Sequence, residues 1–428
     1  MSVAFSAFLL LLVSGAPMVF VLGIASLIAM VLTTDVPIST IAQRMFGGMN
    51  SFTIMAVPFF ILAGLVMDAG GLSRRIVNFA NALVGWITGS LLHVSIVAAT
   101  GLAAISGSGT ADTAAVTSIM APELRRRKYD IDFSVAMIAA AGSLAQVIPP
   151  SLMMVVIAAI SNLSVGAMFL GGIIPGLMTS AALLVVAYIH ARRGGPQYRT
   201  VERFTVGALF STFVAALPSL GMPVIIVGGI VGGVFTPTEA AAVAAIYGML
   251  VGVFVHRELK IKSIPPLFVR TVAFAAAVLT IIATASILGW LVANANIPDA
   301  FGGWLKQMVD KPWTYLLLIN IILMIIGCFM ESLAAILILA PVMLPIAISY
   351  GINPIHFSVV VVMNFAIGLI TPPFGGCLFV ASTVAQRTVV QVARKMLWPW
   401  VAMTTVLLLV TYIPQLTLYL PTAAGLIK

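Results

Sequence analysis

Two short polar stretches interrupt an otherwise greasy chain with groups that can hold ions. "SGSGTADT", residues 106–113, offers Ser106, Ser108, Thr110 and Asp112 among glycines, and "CFMESLAA", 328–335, offers Glu331 and Ser332. Hydroxyl, carboxylate and backbone oxygens suit a small hard cation. Ser, Thr and Asp are also ordinary helix caps. For 106–113 two readings stand: the residues cap a helix starting near 111, or they cap it and also line a cation or substrate site. A first-turn acid complements the helix dipole without any ligand role, and this applies to Asp112. Glu331 favours function, because a carboxylate deep in apolar surroundings is costly unless paired or wet.

Two further phrases carry paired prolines, "QVIPPS" at 146–151 and "LITPPF" at 369–374. Pro149-Pro150 and Pro372-Pro373 each remove two N–H donors and disfavour helical geometry before them, so a helix breaks there. Carbonyls freed at such a break suit a cation, and the half-helix that restarts points its positive end inward, where an anion can sit. Thr371 adds a hydroxyl, and Gly375-Gly376 allow close backbone approach. Gln146 and Asn364 are each either a ligand or an interhelical hydrogen bond. "TPTEAAAV", 236–243, reads as a capping box with Thr236 at the N-cap, Pro237 at N1 and Glu239 at N3.

The elements that must position these groups lie in a membrane. Of 428 residues 61% are hydrophobic and 8% charged, against about 25% charged in soluble domains. Apolar runs of about 20 residues recur throughout, whereas the alternating segments of a barrel are absent, so the fold is an all-α polytopic membrane protein. The net charge of +9 reflects Lys and Arg in short loops rather than a nucleic-acid partner. Cys328 and Cys377 form neither a disulfide framework nor a zinc site. The four histidines lie away from "SGSG" and no pair of mid-membrane Asp is evident, so no protease constellation forms and no enzyme is expected. The six Trp read as an interfacial belt.

Basic clusters set the topology: Arg74/Arg75, "RRRK" at 125–128, Arg192 to Arg203, His256 to Arg270, and Arg387 to Lys395. If all face the cytoplasm, 89–124 must leave and return, yet it is too short for two full spans. A re-entrant hairpin with "SGSGTADT" at its tip satisfies both conditions. Residues 131–163 then cross as a broken helix and 166–190 return. In the second half, spans near 219–235, 237–256 and 268–292 precede a second hairpin at 312–348 with "CFMESLAA" at its tip. A second broken helix follows at 356–386, and 398–421 leaves the C-terminus outside. Residues 72–87 and 297–311 read as amphipathic surface helices, and 3–32 breaks at Gly15-Ala16-Pro17.

The halves share a spacing: 27 residues separate Pro122 from Pro149, and the same 27 separate Pro345 from Pro372. "FSVAM" at 133–137 is echoed by "FSVVV" at 357–361. Opposite orientation with a shared register marks an inverted-topology repeat, 1–190 and 191–428, whose tips and breaks should meet near the midplane.

"ISGSGTADTAAVTSIMAPELRRRKYD" at 105–130, "AAGSLAQVIPPSLMMVVIA" at 140–158, "FTPTEAAAVAAIYG" at 235–248 and "GLITPPFGG" at 368–376 resemble the large membrane subunit of TRAP transporters (tripartite ATP-independent periplasmic transporters). The resemblance covers essentially the whole chain. It implies Na⁺-driven uptake of an organic acid (a C4-dicarboxylate, sialic acid or a sugar acid) by an elevator motion in the bacterial inner membrane. It also implies two partners, a small membrane subunit of about four helices and a periplasmic substrate-binding protein. Carried onto this chain, one Na⁺ site would involve Ser106 and Gly107 with Gly142, Gln146, Val147 and Pro149. The other would involve Glu331 and Ser332 with Gly368 and Thr371. The anion would lie between the tips, near Ser108, Thr110, Asp112, Pro150, Ser151, Ser332, Pro373 and Gly375. The competing readings are a stand-alone Na⁺/dicarboxylate-type symporter and a structural or channel subunit without coupled transport.

Overall fold

Helices built from apolar runs pack into two groups in a computed structural model, which describes residues 2–33, 36–199, 203–309 and 311–427. Among the described residues there is no strand, in keeping with a chain whose backbone polar groups must be satisfied within each segment. Six helices among the described residues are long and apolar enough to cross a membrane, or up to eight if each of two bent pairs counts as one span.

The first group centres on Ala56–Ala69 and Pro237–Leu250, which pack along each other, with Met18–Thr33, Ser39–Met49 and the long Ile264–Asn294 around them. Ser2–Val13 and Met18–Thr33 lie side by side across the Gly15-Ala16-Pro17 break. Leu72–Val84 turns away from Ala56–Ala69 by 68°. It buries Leu72, Ile76, Val77 and Ala80, packing onto Val206–Pro223 and onto the second group. The expected span near 219–235 begins earlier: helical turns run from Val206 to Val231, and a five-residue π segment carries the chain on past Pro223. The capping box at Thr236, Pro237 and Glu239 forms in full.

The second group contains a helical hairpin at each of the two expected places and both broken helices. Ser90–Ser106 and Gly109–Arg126 pack as one helical hairpin, and Pro312–Phe329 and Ser332–Ser349 as the other. Each leg has 17 or 18 residues, a rise of about 26 Å, slightly less than the roughly 30 Å hydrocarbon core. The first broken helix is Ile131–Ser143, a 3₁₀ turn at Leu144–Gln146, and Leu152–Ile160; the second is Pro354–Gly368 and Gly376–Val384. Every residue from Phe133 to Ser143, and from Ile355 to Gly368, is buried, as expected of helices that are apolar all round.

The two broken helices run antiparallel. Ile131–Ser143 lies against Gly376–Val384, and Leu152–Ile160 against Pro354–Gly368. Polar ties fix this register at one end. Arg387 makes a bidentate pair with Asp132 (2.6 and 2.8 Å), Lys395 reaches Asp130 (3.0 Å), and Arg125 donates to the Ala385 carbonyl. The last expected span, 398–421, is instead two helices, Leu397–Tyr412 and Gln415–Ala423, bent by 61°. Pro414, lacking an N–H, stands at the bend.

Candidate functional site

The first tip is a two-residue interruption. Gly107 adopts φ +64° and Ser108 is extended before Gly109–Arg126 begins. Ser106 Oγ donates to Asp112 Oδ1 (2.5 Å) and accepts from the Ser108 N–H (3.1 Å). Ser108 stands at the N-cap, but its side chain caps nothing. The capping reading is therefore corrected at this tip: the hydroxyl of Ser106 is spent on Asp112 across the turn. At the second tip capping is real, since Glu331 Oε2 accepts from the Ala334 N–H (3.1 Å).

Each break is stitched locally. Ser151 Oγ accepts from the Met154 N–H (3.3 Å) and donates to the Gln146 carbonyl (2.5 Å). Thr371 Oγ1 donates to the Ile367 carbonyl (2.7 Å), and the Phe374 N–H reaches the Cys328 carbonyl of the second hairpin (3.1 Å). Tips and breaks approach closely because glycines line their contacts. A Cβ on Gly107 would come within 2.5 Å of the Pro150 carbonyl oxygen, and one on Gly368 within 2.8 Å of the Gly327 oxygen.

A cavity of about 630 Å³ opens where these four segments converge. Of the expected site residues, Ser106, Gly107, Ser108, Thr110, Asp112, Gln146, Glu331, Gly368 and Gly375 line it. The others do not. Pro150 backs Gly107, Gly142 packs on Thr113, and the Val147 carbonyl faces Gly172. Ser151 and Thr371 hold the breaks together through the bonds above, Pro149 and Pro373 belong to the cis Pro–Pro bonds themselves, and Ser332 is buried.

The lining also sets the electrostatics. Helix starts reach it at Gly109, Leu152, Leu333 and Gly376, and helix ends at Ser106, Gln146, Met330 and Gly368. One space thus receives positive dipole ends that favour an anion and carbonyl-bearing ends that favour a cation. Asp112 Oδ2 and Gln146 Oε1 are buried with no hydrogen-bond partner. An orphaned buried acceptor costs about 1–3 kcal/mol, so both atoms fit a ligand that supplies positive charge or a donor.

Asn364 makes an interhelical tie and does not line the cavity, while its Oδ1 is buried without a partner. Its Nδ2 donates to Asn320 Oδ1 (2.7 Å) and to the Val360 carbonyl (2.9 Å), and Asn320 continues to Thr411 Oγ1 (3.0 Å). Of the six Trp, Trp86, Trp313 and Trp398 are exposed, Trp290 and Trp400 are half-buried, and the side chain of Trp304 lies outside the described residues.

The sequence reading overlooked the opposite wall. Val57, Ile61, Leu65, Phe274 and Val278 of the first helix group close the cavity with apolar surface, and Asp68 with Ser73 adds a polar patch. Ser73 Oγ donates to Asp68 Oδ1 (3.1 Å). The available signal was a lone carboxylate ending the apolar run "AVPFFILAGLVMDAGG" at 56–71.

Outside the spans, the charged end is tuned by its pairs. Burial raises the Asp130 carboxyl, but the Lys395 ammonium and the Phe133 N–H outweigh it and hold Asp130 below the usual carboxylate range.

Comparison with known proteins agrees with this architecture. Residues 5–416 match the family described as Tripartite ATP-independent periplasmic transporter, DctM component. The sialic acid TRAP transporter large permease protein SiaM of Vibrio cholerae is 39% identical over 96% of this chain and 96% of its own. The C4-dicarboxylate TRAP transporter large permease protein DctM of Rhodobacter capsulatus is 35% identical over 99% of each. Among solved structures, the YdaH transporter of Alcanivorax borkumensis shares the fold, with a TM-score of 0.57 at 14% identity over 87% of both chains. The chain belongs to the DctM family of TRAP transporters, as a multi-pass large permease component of the membrane.

Proposed function

We propose that this chain is the permease that receives an organic acid from a periplasmic binding protein and carries it across the inner membrane with Na⁺, alongside a small membrane subunit. The observation that carries this reading is the single cavity lined by both hairpin tips and both helix breaks. The antiparallel broken helices support reading the chain as an inverted repeat, 1–190 and 191–428, with both hairpins re-entrant. Family members named for sialic acid and for C4-dicarboxylates support an organic-acid cargo.

In this mechanism Na⁺ is cargo. One ion sits between Ser106–Thr110 and the Gly142–Pro149 break, the other between Glu331–Ala334 and the Gly368–Pro373 break. The anion lies between the tips and faces the helix starts. The cavity lies between the two helix groups, and the wall of the first is mostly apolar. That arrangement supports an elevator motion in which the second group slides along the first with its cargo.

Proteoliposomes containing the chain and its small subunit, given a loaded binding protein, should accumulate the organic acid only under an inward Na⁺ gradient. Uptake by the chain alone would sink the tripartite reading. Uptake indifferent to Na⁺, or a pore conductance, would sink the coupling.

A further inference from the structure

Asp68 and Asp112 belong to different helix groups yet line the same cavity. Their approach follows from packing. Gly64 lies against the tip: a Cβ there would sit 3.5 Å from the Ser106 carbonyl oxygen and 3.8 Å from Ser106 Cβ. Asp68 is four residues on, so it shares that face one turn further along, while Ser106 holds Asp112. Each carboxylate is steadied in the same way, with a serine hydroxyl on Oδ1: Ser73 for Asp68 and Ser106 for Asp112. Asp112 is 3% exposed and its Oδ2 has no partner; Gln146, 5% exposed, brings a second unpartnered oxygen to the cavity.

Two carboxylates lining one cavity, Asp112 buried and Asp68 exposed on the facing wall, repel. That repulsion opposes the contact between Gly64 and Ser106 unless a positive charge lies between the acids. We propose that Asp68 and Asp112 form a further monovalent-cation site, shared between the apolar wall and the first tip, and that its occupancy fastens the two helix groups in the arrangement seen here. The proposal rests on the two-group reading above. It differs from the sites between tips and breaks because one ligand comes from outside the hairpin group. Occupied, the site replaces a repulsion by two attractions. Vacated, it pushes the wall and tip apart. The ion thus reports its presence as a change in how the groups sit together.

The test uses Na⁺ alone on the purified full chain, with choline as the control cation. Spin labels at Ala69 and Ser118, both exposed, report the distance between the wall helix and the hairpin. In the parent chain Na⁺ should narrow the distance distribution and raise the melting temperature. Asp68→Asn should raise the half-saturating Na⁺ concentration about tenfold and abolish the narrowing, whereas Asp68→Glu should retain most of both. Should Asp68→Asn not fold, Ser73→Ala, which only unsteadies the carboxylate, should raise the half-saturating concentration about threefold. An Na⁺ response in the Asp68→Asn or Ser73→Ala chain equal to that of the parent overturns the proposal. Failure of the three-component uptake assay would instead overturn the transport reading and leave this titration interpretable.

Discussion

Gly107 carries the first tip through a conformation that side chains resist. With φ +64° and the Pro150 oxygen 2.5 Å from where a Cβ would sit, Gly107→Ala should cost about 2–3 kcal/mol. A melting-temperature series on the purified chain checks this, with Gly207→Ala as the comparison, since nothing lies within 4 Å of a Cβ there. Equal losses for the two would remove the argument. The Ser106–Asp112 bond makes a second prediction. Ser106→Ala leaves the buried carboxylate with neither oxygen bonded and should destabilise by about 1–3 kcal/mol. Ser106→Ala/Asp112→Asn should lose less than the sum of the single changes. The residue types at this tip were readable from the sequence, but their use was not. A serine reaching six residues ahead depends on the left-handed turn between them, and no periodic pattern encodes it. Asn364 makes the same point, because its partner Asn320 sits on another helix 44 positions away.

At the scale of elements, the start of one broken helix is clamped to the end of the other. Arg387→Ala removes a bidentate pair whose side chains are 32% and 18% exposed, and should lower the melting temperature of the purified chain. Asp130 adds a pH dependence. Its carboxyl is held below its unfolded value, so its contribution is fully present above about pH 4 and is lost as pH falls through the folded value. Lys395→Gln should flatten the acid limb of a melting temperature versus pH curve measured in detergent, and an unchanged limb would discount the pair. Hairpins and breaks were legible as elements because proline pairs and polar tips contrast with apolar runs. Their antiparallel apposition, anchored by Asp130, Asp132, Arg387 and Lys395, was legible only as opposed orientation. The bend at Pro414 was within reach of the proline rule, yet the run of apolar residues around it reads as one span.

For the whole molecule, the cavity between two helix groups is what matters. Leu65 lies on the apolar wall of the first group, so Leu65→Trp should fill the space facing the tips. Uptake by proteoliposomes should fall at least about tenfold, with a melting temperature close to that of the parent. Full uptake by that variant would place the cargo route elsewhere. This wall was the least legible part of the site in the sequence. Val57, Ile61, Leu65, Phe274 and Val278 are ordinary span residues, and only tertiary packing turns their faces toward the tips.

The cavity's charge has a further consequence. Among the described residues that line it are three carboxylates, Asp68, Asp112 and Glu331, and no Lys, Arg or His. Under the transport proposed above, an organic anion arriving by itself would meet carboxylates, relieved by helix starts. It becomes welcome when cations precede or accompany it. Under the proposed Na⁺ coupling, such a carrier would move little of the anion alone from whichever side lacks Na⁺.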